Sequence, residues 1–189
     1  MKTFTLNEKT YDLPESWNEI SLKRYINIAK LEEQRKDFFL GELYLLKMIE
    51  ALCDVEDGEL DELTLDVVND ISEALKFLQA ETEWPVNKFV EIEGTIYVFP
   101  ADLNKLTMGE YISIKTFQEN SQTQADALPY ILSVVLRPGR LEKNEETGEE
   151  RWVQDKFTAN NIEYRRELFM KHPVIDLMGP INFFLGGNK

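Results

Sequence analysis

The stretch YDLPESWNEISLKRYINI at residues 11–28 returns, without a gap, as YVFPADLNKLTMGEYISI at residues 97–114. The same offset of 86 positions aligns Lys2–Ile28 with Lys88–Ile114. Identities fall on Lys2/Lys88, Tyr11/Tyr97, Pro14/Pro100, Asn18/Asn104, Tyr25/Tyr111, Ile26/Ile112 and Ile28/Ile114. Between them lie Leu6/Ile92, Leu13/Phe99, Trp17/Leu103, Ile20/Leu106 and Leu22/Met108, exchanges that a shared core position tolerates. A repeat governs the whole fold, so its register sets the frame for everything else in the chain. Further on, YLLKMI at 44–49 meets YILSVV at 130–135 in the same register.

Each copy reads as a β-hairpin feeding helices. Residues 2–6 and 10–13 alternate apolar and polar about Asn7-Glu8-Lys9, and residues 89–92 and 95–99 do so about Glu93-Gly94. Pro14 and Pro100 end the second strands, because proline cannot donate to the ladder. Ser21 and Thr107 have hydroxyls able to accept from the free amides of a helix that continues through Leu22, Tyr25, Ile26 and Ile28, or through Met108, Tyr111, Ile112 and Ile114. The apolar spacing of Phe38, Phe39, Leu43, Leu46, Ile49 and Leu52 predicts a second helix over 37–53, and its counterpart over 126–136 takes Pro129 in its first turn. A third helix is expected from Thr64 and from Thr158.

Between the second and third helices the copies diverge. Residues 54–62 form a short acidic loop in the first, while 138–155 in the second are longer and read as an extra hairpin turning at 144–148. The expected fold class is α+β, predominantly helical, a tandem duplication of a hairpin-plus-helices unit. The first repeat spans 1–86, and the second spans 87–189 with the insert and a C-terminal helical tail.

Charge narrows the possible partners. The 189 residues hold 35 acidic and 21 basic side chains, a formal net charge of −14, which repels both nucleic-acid phosphates and anionic lipid. Neither direct nucleic-acid binding nor membrane association is expected. The N-terminal residues lack an apolar signal core, and no stretch approaches the ~18 apolar residues of a membrane span. A cytosolic protein is expected, and the lone Cys53 in an apolar helical run reads as a buried small hydrophobe.

Little points to catalysis. The single histidine, His172, precedes Pro173 at an expected helix end, where a helix C-terminal cation is the simpler reading. One His and one Cys are too few for a zinc site. Taking Gly58 as the sharp-turn glycine of a calcium loop puts Cys53 at the first ligand position and Thr64 where a bidentate Glu belongs, so the acidic loop reads as solvated charge. The glycines form neither a phosphate loop nor a dinucleotide fingerprint. No enzyme activity, catalytic residue, metal or cofactor is expected. Trp17, Tyr25, Leu103 and Tyr111 read as core. The insert and the tail are what the second copy has and the first lacks, so Trp152, Phe183, Phe184 and Leu185 are the candidate protein-binding residues.

The order LPESW with a capped helix, FPADLNKLTMGEY, YILSVVLRP, a polar insert and RRELFMKHPV followed by INFFL resembles small acidic bacteriophage proteins encoded among tail and virion genes, some of them similar to tail or baseplate assembly chaperones of long-tailed phages. That resemblance covers most of the chain through short motifs and implies no catalytic residues. It implies a non-enzymatic assembly factor in the host cytoplasm, or carried in the virion, that binds a phage structural protein of the tail or virion. Two other classes share the lack of chemistry: a permanent virion component, and an acidic nucleic-acid mimic inhibiting a host protein. Interleaved basic residues (Lys23-Arg24, Arg35-Lys36, Arg165-Arg166) weaken the mimic.

Overall fold

In the computed structural model the chain is a mixed α+β protein with two antiparallel sheets. The structure describes residues 2–186 except 57, 81, 83, 86, 101, 103 and 104, and of 183–186 the backbone alone. Two compact units are present: Met1–Glu83 with Pro173–Ile175, and Trp84–His172 with Asp176–Lys189.

The first unit opens with β1 (Lys2–Leu6) and β2 (Lys9–Leu13), which form a two-stranded sheet. Their loop is Asn7-Glu8, both at positive φ (48° and 65°), and Lys9 already belongs to β2. Such a two-residue type I′ turn matches the right-handed twist of the strands it joins. Phe4 stacks on its cross-strand partner Tyr11 at 5.3 Å and is buried with Leu13. After a 3-10 turn at Trp17–Glu19, Ser21 caps α1 (Leu22–Glu33) by accepting from the Arg24 N–H. Leu22, Ile26, Ile28 and Leu31 bury the inner face of α1.

α2 begins at Gly41, four residues later than the spacing predicts, and ends at the expected Cys53. A 3-10 turn at Arg35–Asp37 intervenes, and Leu40, an extended N-cap, has no side chain able to hold the first amides. Phe39 consequently lies outside the helix and fully in solvent. Ile49 and Leu52 are completely buried. α3 (Leu65–Ala74) follows a 3-10 turn at Glu59–Glu62 and runs into another at Leu75–Gln79. Trp17 is half-buried, edge-on to Tyr25 at 6.4 Å and to Phe77 at 5.8 Å. Its repeat counterpart Leu103 lies outside the described residues. The Val174 N–H donates to the Ile20 carbonyl at 2.8 Å, which stitches Pro173–Ile175 into this unit.

The second unit opens with β3 (Phe89–Ile92) and β4 (Thr95–Val98), joined by a second type I′ turn with Glu93 and Gly94 at φ 50° and 75°. α4 (Met108–Asn120) carries a full capping box in which Thr107 and Glu110 satisfy each other's amides. α5 (Gln124–Val135), capped by Thr123, starts two residues before the expected 126. Pro129 therefore sits in its second turn, beyond the predicted position, and Ser133 donates to the Pro129 carbonyl at 2.7 Å.

The insert is a hairpin of β5 (Arg137–Lys143) and β6 (Glu150–Gln154), which extends the sheet to the order β3-β4-β5-β6. At Gly139 a Cβ would lie 2.4 Å from the Val153 carbonyl oxygen and 2.6 Å from a Val98 methyl, so only glycine lets the three strands approach there. α6 (Ile162–Lys171) begins beyond a 3-10 turn at Ala159–Asn161, not at Thr158. α7 (Met178–Gly186) closes the chain. α5 packs against α4, α6 and α7 around a core containing Leu128, Leu132, Leu136, Phe169, Leu177, Met178 and Ile181.

Candidate functional site

Several buried and half-buried polar residues are engaged in holding the fold. Glu110, the third residue of α4, is only 2% exposed. Its Oε2 accepts from the Thr107 N–H and hydroxyl, each at 2.6 Å, and its Oε1 meets Arg137 Nη1 at 2.5 Å. Arg137 Nη2 donates to Gln154 Oε1 at 2.8 Å, and Gln154 Nε2 donates to the carbonyls of Val135, at 2.7 Å, and Val98. One chain of polar contacts thus ties α4, the end of α5 and strands β4, β5 and β6.

Arg165 is likewise buried, its Nε donating to the Ser133 carbonyl at 2.7 Å. Burial depresses its pKa from the usual guanidinium value, with Arg137 acting in the same sense and Tyr97 opposing. His172 is the C-cap of α6 and places Nε2 3.0 Å from Asp176 Oδ2, an i,i+4 contact. Burial pushes the Cys53 thiol up to about 12, far from the thiolate range a nucleophile needs. Among the described residues, no three His, Cys, Asp or Glu side chains are grouped to hold a metal ion, and no helix is long and apolar enough to cross a membrane.

Part of the exposed surface is apolar. On α4, Met108, Tyr111 and Ile112 are 71%, 50% and 56% exposed, while Glu110 and Ile114 face inward. Their i, i+3, i+4 spacing puts all three on one face of the helix, so Tyr111 is surface and not the core the sequence led us to expect. Tyr25, at the matching place in α1, is half-buried. The chain matches no protein-family model, no curated protein and no solved structure.

Of the residues singled out in the sequence, Trp152 lies on β6 directly opposite Leu141 of β5, and its ring rests 4.4 Å from that of Phe89 on β3. Trp152 is half-buried, whereas Leu141 and Phe89 are exposed, so Trp152 has an exposed apolar neighbour on each of β5 and β3. The side chains of Phe183, Phe184 and Leu185 lie outside the described residues. The start of the tail is a different matter, since Val174, Leu177, Met178 and Ile181 are buried and belong to the core. The tail is therefore not free apolar surface at these four positions. The α4 surface escaped the sequence reading because α4 is apolar on both faces, and periodicity alone cannot say which is inward.

Proposed function

We propose that this chain is a non-enzymatic bacteriophage assembly factor that binds a structural protein of the tail or virion, on a scaffold made by tandem duplication. The observation that carries the binding reading is the stripe of Met108, Tyr111 and Ile112 on α4. Large apolar side chains held in water on one helical face do nothing for the fold that bears them, and such patches are characteristic of protein-binding surfaces. Trp152, Leu141 and Phe89 offer a second apolar contact in the same unit. The phage assignment rests on the resemblance of the motifs described above, and host cytoplasm is the compartment it implies.

Duplication is supported by details that alignment of apolar residues does not require. Both hairpins turn on two residues at positive φ, Asn7-Glu8 and Glu93-Gly94, 86 positions apart. Hydroxyl residues cap both following helices, Ser21 and Thr107. In each unit an ion pair joins the third residue of that helix to the end of the next, Arg24 to Asp54 and Glu110 to Arg137.

The test uses the full chain and its triple variant Met108→Ser/Tyr111→Ser/Ile112→Ser as baits in lysate of phage-infected cells, read by mass spectrometry. A tail or virion protein retained by the wild type and lost by an equally stable variant is the expected result. Equal recovery by both baits would remove α4 as the surface, and recovery of host proteins alone would overturn the phage reading. Detection of the chain in purified particles would make it a permanent component.

A further inference from the structure

We propose that the outer edge of β1 in the first unit binds an extended basic strand of a partner protein by β-strand addition. This surface is separate from α4 and does not depend on it. Among the described residues, β1 pairs with β2 alone. The two-residue turn makes Leu6 and Lys9 a hydrogen-bonded pair, and alternation extends that status to Phe4 with Tyr11 and Lys2 with Leu13. The main-chain N–H and C=O groups of Thr3 and Thr5 therefore point away from β2. The 3.4 Å contact between the Thr5 and Thr10 hydroxyls fits a non-hydrogen-bonded pair, whose side chains stand closer.

A groove of about 550 Å³ runs along β1, lined by Lys2–Thr5, by Leu13 of β2, and by Val67, Asp70, Ile71 and Glu73 of α3. Phe4, Leu13 and Ile71 supply a buried apolar floor; Asp70 stands exposed, as does Glu73, which Lys76 meets at 2.6 Å. Strand edges are commonly protected by charges, proline, bulges or a covering element. Here the only charged residue of β1 is Lys2 at its start.

Two features select the occupant. Backbone donors and acceptors spaced along an edge are satisfied by another extended backbone, whereas a helix has its own groups already engaged. Charge selects the sign: residues 1–83 hold 20 of the 35 acidic side chains and 9 of the 21 basic ones, and Asp66, Asp70 and Glu73 follow one face of α3. A strand alternating apolar residues toward the floor with Lys or Arg toward α3 meets both requirements.

The probe is a synthetic Val-Lys-Val-Lys-Val-Lys-Val peptide titrated by fluorescence anisotropy into the full chain. Its controls are the same peptide N-methylated at alternate residues, which keeps side chains and charge but removes the ladder donors, and the Val/Glu counterpart. We expect the parent peptide to bind, and both controls to bind about tenfold more weakly or worse. Thr5→Pro removes an outward N–H while sparing the pairing with β2, and should weaken the parent peptide to a similar degree. If Thr5→Pro lowers the melting temperature, the exposed double variant Asp70→Lys/Glu73→Lys carries the test instead. Equal binding of the N-methylated peptide, or no loss in Asp70→Lys/Glu73→Lys, would overturn the proposal. So would a dimer in sedimentation that Thr5→Pro dissociates, since that result assigns the edge to a second copy of the chain.

Discussion

Arg24 and Glu110 hold the same place in their units, the third residue of the helix that follows the hairpin, and carry opposite charges in ion pairs to the end of the next helix. Arg24 and its neighbour Lys23 reach Asp54, the left-handed C-cap of α2, at 3.2 and 2.6 Å. Glu110 reaches Arg137, immediately beyond the C-cap of α5. The geometric task is the same, drawing the start of one helix to the end of its antiparallel neighbour, but the surroundings differ. Asp54 is 42% exposed, whereas the Glu110 side chain is 3% exposed.

Because of that difference, Glu110→Gln should be severe and Arg24→Met mild. Removing the Glu110 charge leaves Arg137, whose side chain is only 13% exposed, without its counter-ion, and its buried Nε already has no hydrogen-bond partner among the described residues. Urea titration should show a loss of about 3–5 kcal/mol for Glu110→Gln. Arg24→Met should lose no more than about 1 kcal/mol. Losses of similar size in the two variants would contradict this assignment of burial.

Acid should act on the pair around Asp54. Burial raises the Asp54 pKa, but hydrogen bonds and charge from Lys23 and Arg24 outweigh it and hold the carboxyl below its usual value. A depressed carboxylate contributes stability above its unfolded pKa and loses it as pH falls through the folded one. The stability gap between wild type and Asp54→Asn should therefore be present at neutral pH and shrink between about pH 5 and pH 2. A gap that does not change over this range would place the stabilisation elsewhere.

The paired turns make a reciprocal prediction. Glu8 adopts φ 65° where the second unit has Gly94 at φ 75°. A side chain in the left-handed region costs on the order of 1 kcal/mol, partly offset by the larger unfolded-state freedom of glycine. Glu8→Gly should raise the thermal midpoint and Gly94→Ala should lower it. Matching shifts of the same sign would disprove the strain argument.

Ile181 has no exposed surface, so Ile181→Ala should cost about 2–5 kcal/mol by denaturant titration, and a chain ending at Gly179 should be destabilised at least as much. Wild-type melting of either variant would put α7 outside the core.

Cys53 should be inert to a thiol reagent at neutral pH in the native state and react only on unfolding, because burial both hides the sulfur and pushes its pKa up to about 12. Rapid native labelling would show that α2 opens locally.

Much of the local structure was legible in the sequence. Period-two alternation about Asn7-Glu8 and Glu93-Gly94 located both first hairpins, the hydroxyls of Ser21 and Thr107 located two helix starts, and a polar turn between Leu141 and Trp152 located the third hairpin. What failed was decided at longer range. The Glu110–Arg137 pair joins residues with no local pattern between them, and nothing near Glu110 marks it as buried. The start of α2 was misplaced because Phe38 and Phe39 continue an apolar rhythm into residues that never become helical. The candidate surface on α4 was hidden by a helix whose outer face is as apolar as its inner one. Trp152 was flagged by its position in the insert, yet its contact with Phe89 joins the two terminal strands of the sheet order, which only the fold reveals.

Three residues near the end of the chain bear on when the first unit is finished. Val174 belongs with Ile20, although about 150 residues separate them in synthesis. At ribosomal rates of about 5–20 residues per second, Pro173–Ile175 are made some 5 to 20 seconds after Glu83. Throughout that interval the Ile20 carbonyl lacks its native donor, so residues 1–83 leave the ribosome unfinished and are completed only when Pro173–Ile175 follow.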